Sequence, residues 1–219
     1  MLLFSGGEFM SETQLMDLFN NKRDHKVQIT TQAIEKIKNL NIPALSAYDN
    51  ELIKNMSQLV LKVAATENNH NEVAITFKLF QNPEDNVEYG IALGSEHHVD
   101  PESDSASSKI INMAESGSFT IEANCVVVLT HNHPSLSDIS LDDVGYFITK
   151  AKLKILIAVT NLGKTFYIMK TNLYNREKAF ALLREAIAHN QSATTLQEKQ
   201  DAARVFLRNA SKVGIDYYH

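Results

Sequence analysis

The residues best equipped for chemistry in this 219-residue chain lie in one run, Thr130-His131-Asn132-His133-Pro134-Ser135-Leu136-Ser137-Asp138-Ile139-Ser140-Leu141-Asp142-Asp143. It follows Cys125-Val126-Val127-Val128-Leu129, an apolar stretch too short for a helix and rich in β-branched residues, which predicts a central strand buried on both faces. Side chains two apart on a strand point the same way, so His131 and His133 project together and can share one metal ion. Pro134 biases His133 toward extended geometry and keeps that pairing intact to the end of the strand. Ser140 reads as a helix N-cap, and Asp143, three residues on, as the acidic partner of a capping box. A carboxylate there, on the first helical turn, can swing back to the same ion. Two nitrogens, one oxygen and a vacant fourth position make the donor set of a catalytic Zn²⁺, which lowers the pKa of water from 15.7 to about 7.

A hydrolytic site of this kind also needs a base. Glu72 and Glu88 both flank extended segments, and periodicity alone does not choose between them. With 8 histidines and 4 prolines in 219 residues, chance supplies about 0.3 His-x-His pairs but only about 0.005 that continue into Pro. Coincidence is a poor account of the run.

The elements around the run follow from the hydrophobic pattern. Ile34, Ile37 and Leu40 after Thr30 and Thr31 predict a short helix stopped by Pro43. After Asp49 and Asn50, the stripe Leu52, Ile53, Met56, Leu59, Val60 and Val63 predicts a longer amphipathic helix ending near Thr66. The period then changes to two: Val73, Ile75, Phe77 and Leu79 alternate, 82–86 is a turn cluster, and 87–93 is extended, so 72–93 reads as a β-hairpin. Lys109–Glu115 reads as helix, and a further helix starts at Ser140 with Val144, Phe147, Ile148 and Ala151 on its apolar side. Strands are expected over Ile155–Val159 and Thr165–Met169 around the turn 161–164. Helices over about 175–189, with Leu182, Leu183, Ala186 and Ile187 inward, and 194–212 close the chain, the terminal Tyr217-Tyr218 docking on the body. The sum is an α/β sheet domain over about 65–173 with helices before and after it.

Composition narrows the function. Lys+Arg 21 against Asp+Glu 26 gives a net charge of -5, which disfavours binding to a nucleic-acid backbone, although Lys150, Lys152, Lys154 and Lys164 could form a local basic patch. The lone Cys125 excludes an internal disulfide and a thiolate zinc site, leaving His and carboxylate as ligands, and is expected to pack as a small apolar residue. No apolar run reaches the roughly 20 residues of a membrane span. Met1–Phe4 is too short and lacks the basic leader of a signal peptide, so a cytoplasmic location is expected, with Met10 an alternative start and residues 1–9 a dispensable tail. His97-His98 is a less attractive metal pair, because neighbours on an extended chain point to opposite sides; a solvated loop is expected there.

The residues HNHPS and the following Ser140-x-x-Asp143 resemble the JAMM motif of the JAB/MPN metalloprotease superfamily, most closely its RadC-like bacterial and mobile-element branch. Asn71-Glu72-Val73, Gly94-Ser95 with Val99, and Val159–Lys164 also resemble stretches of that branch, so the similarity covers 65–173. The loop between His133 and Ser140 has six residues where many members have seven. The resemblance implies a cytidine-deaminase-like, JAB-type mixed β-sheet flanked by helices. On that reading 1–64 is an N-terminal tail with helices packing on the core, and 174–219 a C-terminal helical extension. It further implies zinc held by His131, His133 and Asp143. Glu72, 59 residues before the first histidine, would be the general base and then acid, with Glu88 in reserve, and Ser140 would hydrogen-bond the oxyanion. The implied reaction is hydrolysis of a peptide or isopeptide bond in a protein or peptide substrate.

Two rivals compete. His131-x-His133, Asp138 and Gly145 mimic a cupin motif, but a β-barrel needs more glycine turns than 8 glycines supply, and a helix is expected after Ser140. The other is a non-catalytic RadC-like interaction or DNA-repair-associated module.

Overall fold

The computed structural model describes residues 26–79, 87–116, 126–135, 137–191 and 196–218. The tail with Met10, the 82–86 turn and Cys125 lie outside them. In chain order the elements are α1 (Thr31–Glu35), α2 (Ala47–Thr66), β1 (Val73–Leu79), β2 (Tyr89–Leu93), α3 (Ser105–Ser116), β3 (Val126–His133) and α4 (Leu141–Thr149). Then follow β4 (Leu153–Thr160), β5 (Thr165–Lys170), α5 (Arg176–Gln191), α6 (Leu196–Asn209) and β6 (Ile215–Tyr218), with single 3-10 turns at Pro101–Ser103 and Ala210–Val213.

The strands form one mixed sheet in the order β2-β1-β3-β4-β5-β6. Only β3 and β4 run parallel, joined through α4; the other neighbours are antiparallel. Helices cover both faces. On one, Ile53, Met56, Val60 and Leu61 of α2 pack on Ile75, Phe77, Val128 and Ile157. On the other, Val144, Phe147 and Ile148 of α4 and Leu183 and Phe206 from α5 and α6 pack on Leu129, Leu156 and Ile168. Side chains such as Phe77, Phe147 and Phe206, fully enclosed here, each stabilise the fold by about 1.5–3 kcal/mol through removal from water. The expected α/β class with a helix-flanked sheet is thus present.

Several details depart from expectation. The long helix begins at Ala47, capped by the Ser46 hydroxyl, which accepts from the Asp49 amide. Asn50 is inside the helix, where its buried side chain ties back to Ile42. β1 is buried on both faces rather than one, because it lies second from the edge with helices on either side. Ile187 is exposed. The C-terminal region is not purely helical: Gly214, at φ 75°, turns the chain so that β6 joins the sheet on β5. The aromatic pair does dock, with Tyr218 stacked on Tyr167 at 4.6 Å between ring centroids.

Candidate metal centre

β3 carries Val127, Leu129, His131 and His133 toward the α4 layer and Val128, Thr130 and Asn132 toward α2, as the two-residue repeat of a strand requires. Its last residues are buried, and the two imidazoles converge: His131 Nε2 and His133 Nε2 are 2.8 Å apart, with ring centroids at 4.7 Å.

The third donor comes from α4. Ser140 caps that helix, its Oγ accepting from the Asp143 amide at 3.1 Å, while Asp143 Oδ2 accepts from the Ser140 N–H at 2.7 Å, a complete capping box. The Ser140 hydroxyl also donates to Asp143 Oδ2 at 2.7 Å. This fixes the carboxylate with Oδ1 at 3.0 Å from His131 Nε2 and Oδ2 at 3.3 Å from His133 Nε2. The three candidate ligand atoms lie within 4.8 Å of one another, and could hold a metal ion.

The surroundings fit that use. His133 Nδ1 sits 3.2 Å from the Ser137 carbonyl oxygen, which can only accept, so Nδ1 carries a proton and Nε2 is the nitrogen turned toward the cluster. Burial alone would depress the His133 pKa, but the Asp143 carboxylate, with Glu72 and the Ser137 carbonyl, pushes it up to about 9. Burial opposes ionisation of Asp143, and the two imidazoles more than offset it, holding the carboxyl well below its ordinary range. A buried carboxylate facing two nitrogen donors needs a positive charge, which a proton or a divalent cation can provide.

Glu72 stands immediately before the neighbouring strand β1. Ala74 pairs with His131 in the β1/β3 ladder, so Glu72, two residues back, lies at the end of the hairpin that meets the histidines. Its carboxyl lines the cleft beside the histidines, and burial raises its pKa above the ordinary value, against the opposing pull of His131 and His133. Glu88 lies at the other end of the hairpin, next to Tyr89, which pairs with Phe77. It is exposed and bridged to Lys78, which holds its pKa below the ordinary value.

The cleft itself has a volume of about 440 Å³. His97 and His98 are exposed, as expected, but sit on its rim rather than in open solvent. Lys26 lines it too, from the segment before α1. The four lysines considered for a basic patch are not gathered in one place. Lys150 pairs with Glu102, and Lys152 and Lys164 flank opposite ends of β4.

Sequence reasoning missed Asn132 and Asn161. Both are fully buried and bonded to each other, Asn132 Nδ2 donating to Asn161 Oδ1 at 2.8 Å. Asn161 Nδ2 donates in turn to the carbonyls of Val27 and His70. Gly163 lets the turn carrying Asn161 tuck under α1: it has φ 79°, and a Cβ there would lie 2.0 Å from the Ala33 carbonyl oxygen. An asparagine buried inside a β-run, where that residue type is depleted, was the available signal.

No protein-family model, curated protein or solved structure matches the chain.

Proposed function

We propose that the protein is a zinc-dependent hydrolase of the JAMM type, cleaving a peptide or isopeptide bond. The observation that carries this reading is the meeting of His131, His133 and Asp143 from two elements with a partly buried Glu72 in the same cleft. The mixed sheet between helical layers is compatible with a JAB-type fold, and the capping box on Asp143 is the feature that the Ser-x-x-Asp spacing demands.

The two Nε2 atoms and the Asp143 carboxylate would hold the ion. Zinc in such a site supplies a Lewis acid and brings the pKa of water down to about 7. The chain's own residues do the rest. Glu72, with its pKa raised by burial, is better matched to taking and returning a proton near neutral pH than an ordinary carboxylate. Ser137 fixes the tautomer of His133, and Ser140 fixes the rotamer of Asp143. For Ser140 to stabilise an oxyanion, its hydroxyl has to turn away from Asp143 Oδ2, leaving the Ser140 N–H to hold that carboxylate alone.

The test is an assay of the zinc-loaded protein on unfolded polypeptide and on isopeptide-linked conjugates. Wild type is expected to cleave one of them, and the Glu72→Gln variant to keep its zinc and lose turnover. Full zinc with no cleavage of either class would favour the non-catalytic module; unchanged turnover in Glu72→Gln would remove Glu72 from the role of base.

A further inference from the structure

The side chain between the two histidines points the other way and grips the backbone on both sides of Glu72. Asn132 Oδ1 accepts from the Val73 N–H at 2.7 Å, and Asn132 Nδ2 donates to the Asn71 carbonyl oxygen at 3.1 Å. These two groups bracket the residue that carries the carboxyl. The other Asn132 N–H goes to Asn161, so the amide uses two donors and one acceptor while fully buried.

The geometry points to Asn132 as a positioning residue that sets where the Glu72 carboxyl stands relative to the metal ligands, an inference that rests on the hydrolase reading above. His131 and His133 are its immediate chain neighbours, so a single extended tripeptide would hold the ion with its outer residues while its middle one holds the segment bearing Glu72. Ordinary ladder bonds could not do both. The Asn132 side chain takes the amide proton of Val73, and Gly94, Ser95 and Asn68 hold the two backbone ends of Glu72 from the other side. Asn161 then anchors the amide to two further segments: its own Nδ2 binds the Val27 and His70 carbonyls, while Val27 donates to the Pro134 carbonyl next to His133. The peptide of Glu72, the end of β3 and the segment before α1 are thereby locked into one frame. Buried and fully bonded polar groups of this kind specify one geometry, because any rearrangement leaves donors unpaired in a dry setting.

The experiment uses the zinc-loaded full chain with Asn132→Ala and, as a milder perturbation, Asn161→Ala, which removes the partner of Asn132 but leaves its bonds to Asn71 and Val73. Two readouts are taken: amide hydrogen exchange at Val73 and turnover at saturating substrate. The expected result for Asn132→Ala is at least tenfold faster exchange at Val73 with β4 amides unchanged, about one zinc still bound, and kcat lower by about 10–100-fold with KM nearly constant, the range for losing a supporting hydrogen bond at a site. Asn161→Ala should move both in the same direction by less. A variant in which exchange rises equally across β3, β4 and β5, or in which kcat is retained while Val73 exchanges fast, would overturn the inference. If Asn132→Ala does not fold, Asn161→Ala decides alone: unchanged Val73 exchange and unchanged kcat refute it. Should wild type prove to bind no zinc, the hydrolase reading fails, whereas the Val73 exchange still tells whether Asn132 holds the Glu72 segment.

Discussion

One hairpin places two glutamates in opposite circumstances. At the end of β1 nearest β3's histidines, Glu72 is drawn into a cleft, and its pKa rises through loss of water. At the other end, Glu88 stands in solvent with Lys78 and its pKa falls. The residue type is the same, so the difference lies in which end of the strand meets the metal ligands. A carboxyl becomes a candidate base by being desolvated in a cleft beside the ligand cluster, whereas the same group paired with a lysine is held in its ionised form.

The contrast is broken most severely by replacing the two carboxyls in turn. Glu72→Gln should cost about 10²–10⁴-fold in kcat with zinc content unchanged, the usual range for a lost general base, while Glu88→Gln should leave kcat within about twofold, since Glu88 stands at the end of the hairpin away from the ligand cluster. Steady-state kinetics beside metal analysis checks both; equal losses would show that burial is not what separates them.

The next largest effect concerns the support of the cluster facing Glu72. Ser140→Ala removes the α4 cap and one of the two bonds that hold Asp143 Oδ2. Unfolding stability should drop by about 1 kcal/mol, and zinc affinity by about 10–100-fold, read by denaturant titration and chelator competition. A loss of stability alone would make Ser140 only a cap.

Smaller, but of opposite sign at the two ends, is the effect on stability in the metal-free protein. The folded pKa of Glu72 is raised, so its contribution is fully present below the unfolded value and is lost as pH climbs through the folded one. The folded pKa of Glu88 is lowered, so its contribution is present above the unfolded value and disappears as pH falls. Glu72→Gln should therefore raise Tm at pH 7 and Glu88→Gln should lower it, the latter shift shrinking in added salt. Shifts of the same sign in thermal melts would contradict the assignment. Smaller again, the activity of wild type should fall as pH drops through the raised Glu72 value, above the 4.5 of an ordinary glutamate.

How much of this was readable from the chain follows the range of the interactions. The Ser140 and Asp143 capping box and the shared direction of His131 and His133 are local, set by the helix start and the strand repeat, and both were legible. Periodicity left Glu72 and Glu88 open, because each flanks a strand of the same hairpin; the family resemblance alone favoured Glu72, and the β1/β3 register is what says which end of the hairpin meets the imidazoles. Asn132 and Asn161 were passed over for a related reason: one looked like a poor strand residue and the other like ordinary turn chemistry, and their meaning lies in partners far away in sequence. The β6 strand escaped because four residues carry no period; it exists because Gly214 lets the chain turn back and β5 offers an open edge. The early start of α2 at Ala47, capped by Ser46, was hidden by Asp49 and Asn50, residue types that cap helices as readily but here serve Ser46 and Ile42.

Metal analysis of the purified chain beside its His131→Ala/His133→Ala variant tests the central claim most directly. About one zinc per chain in wild type and none in the variant is the predicted result; a variant that retains its full complement of zinc would contradict it.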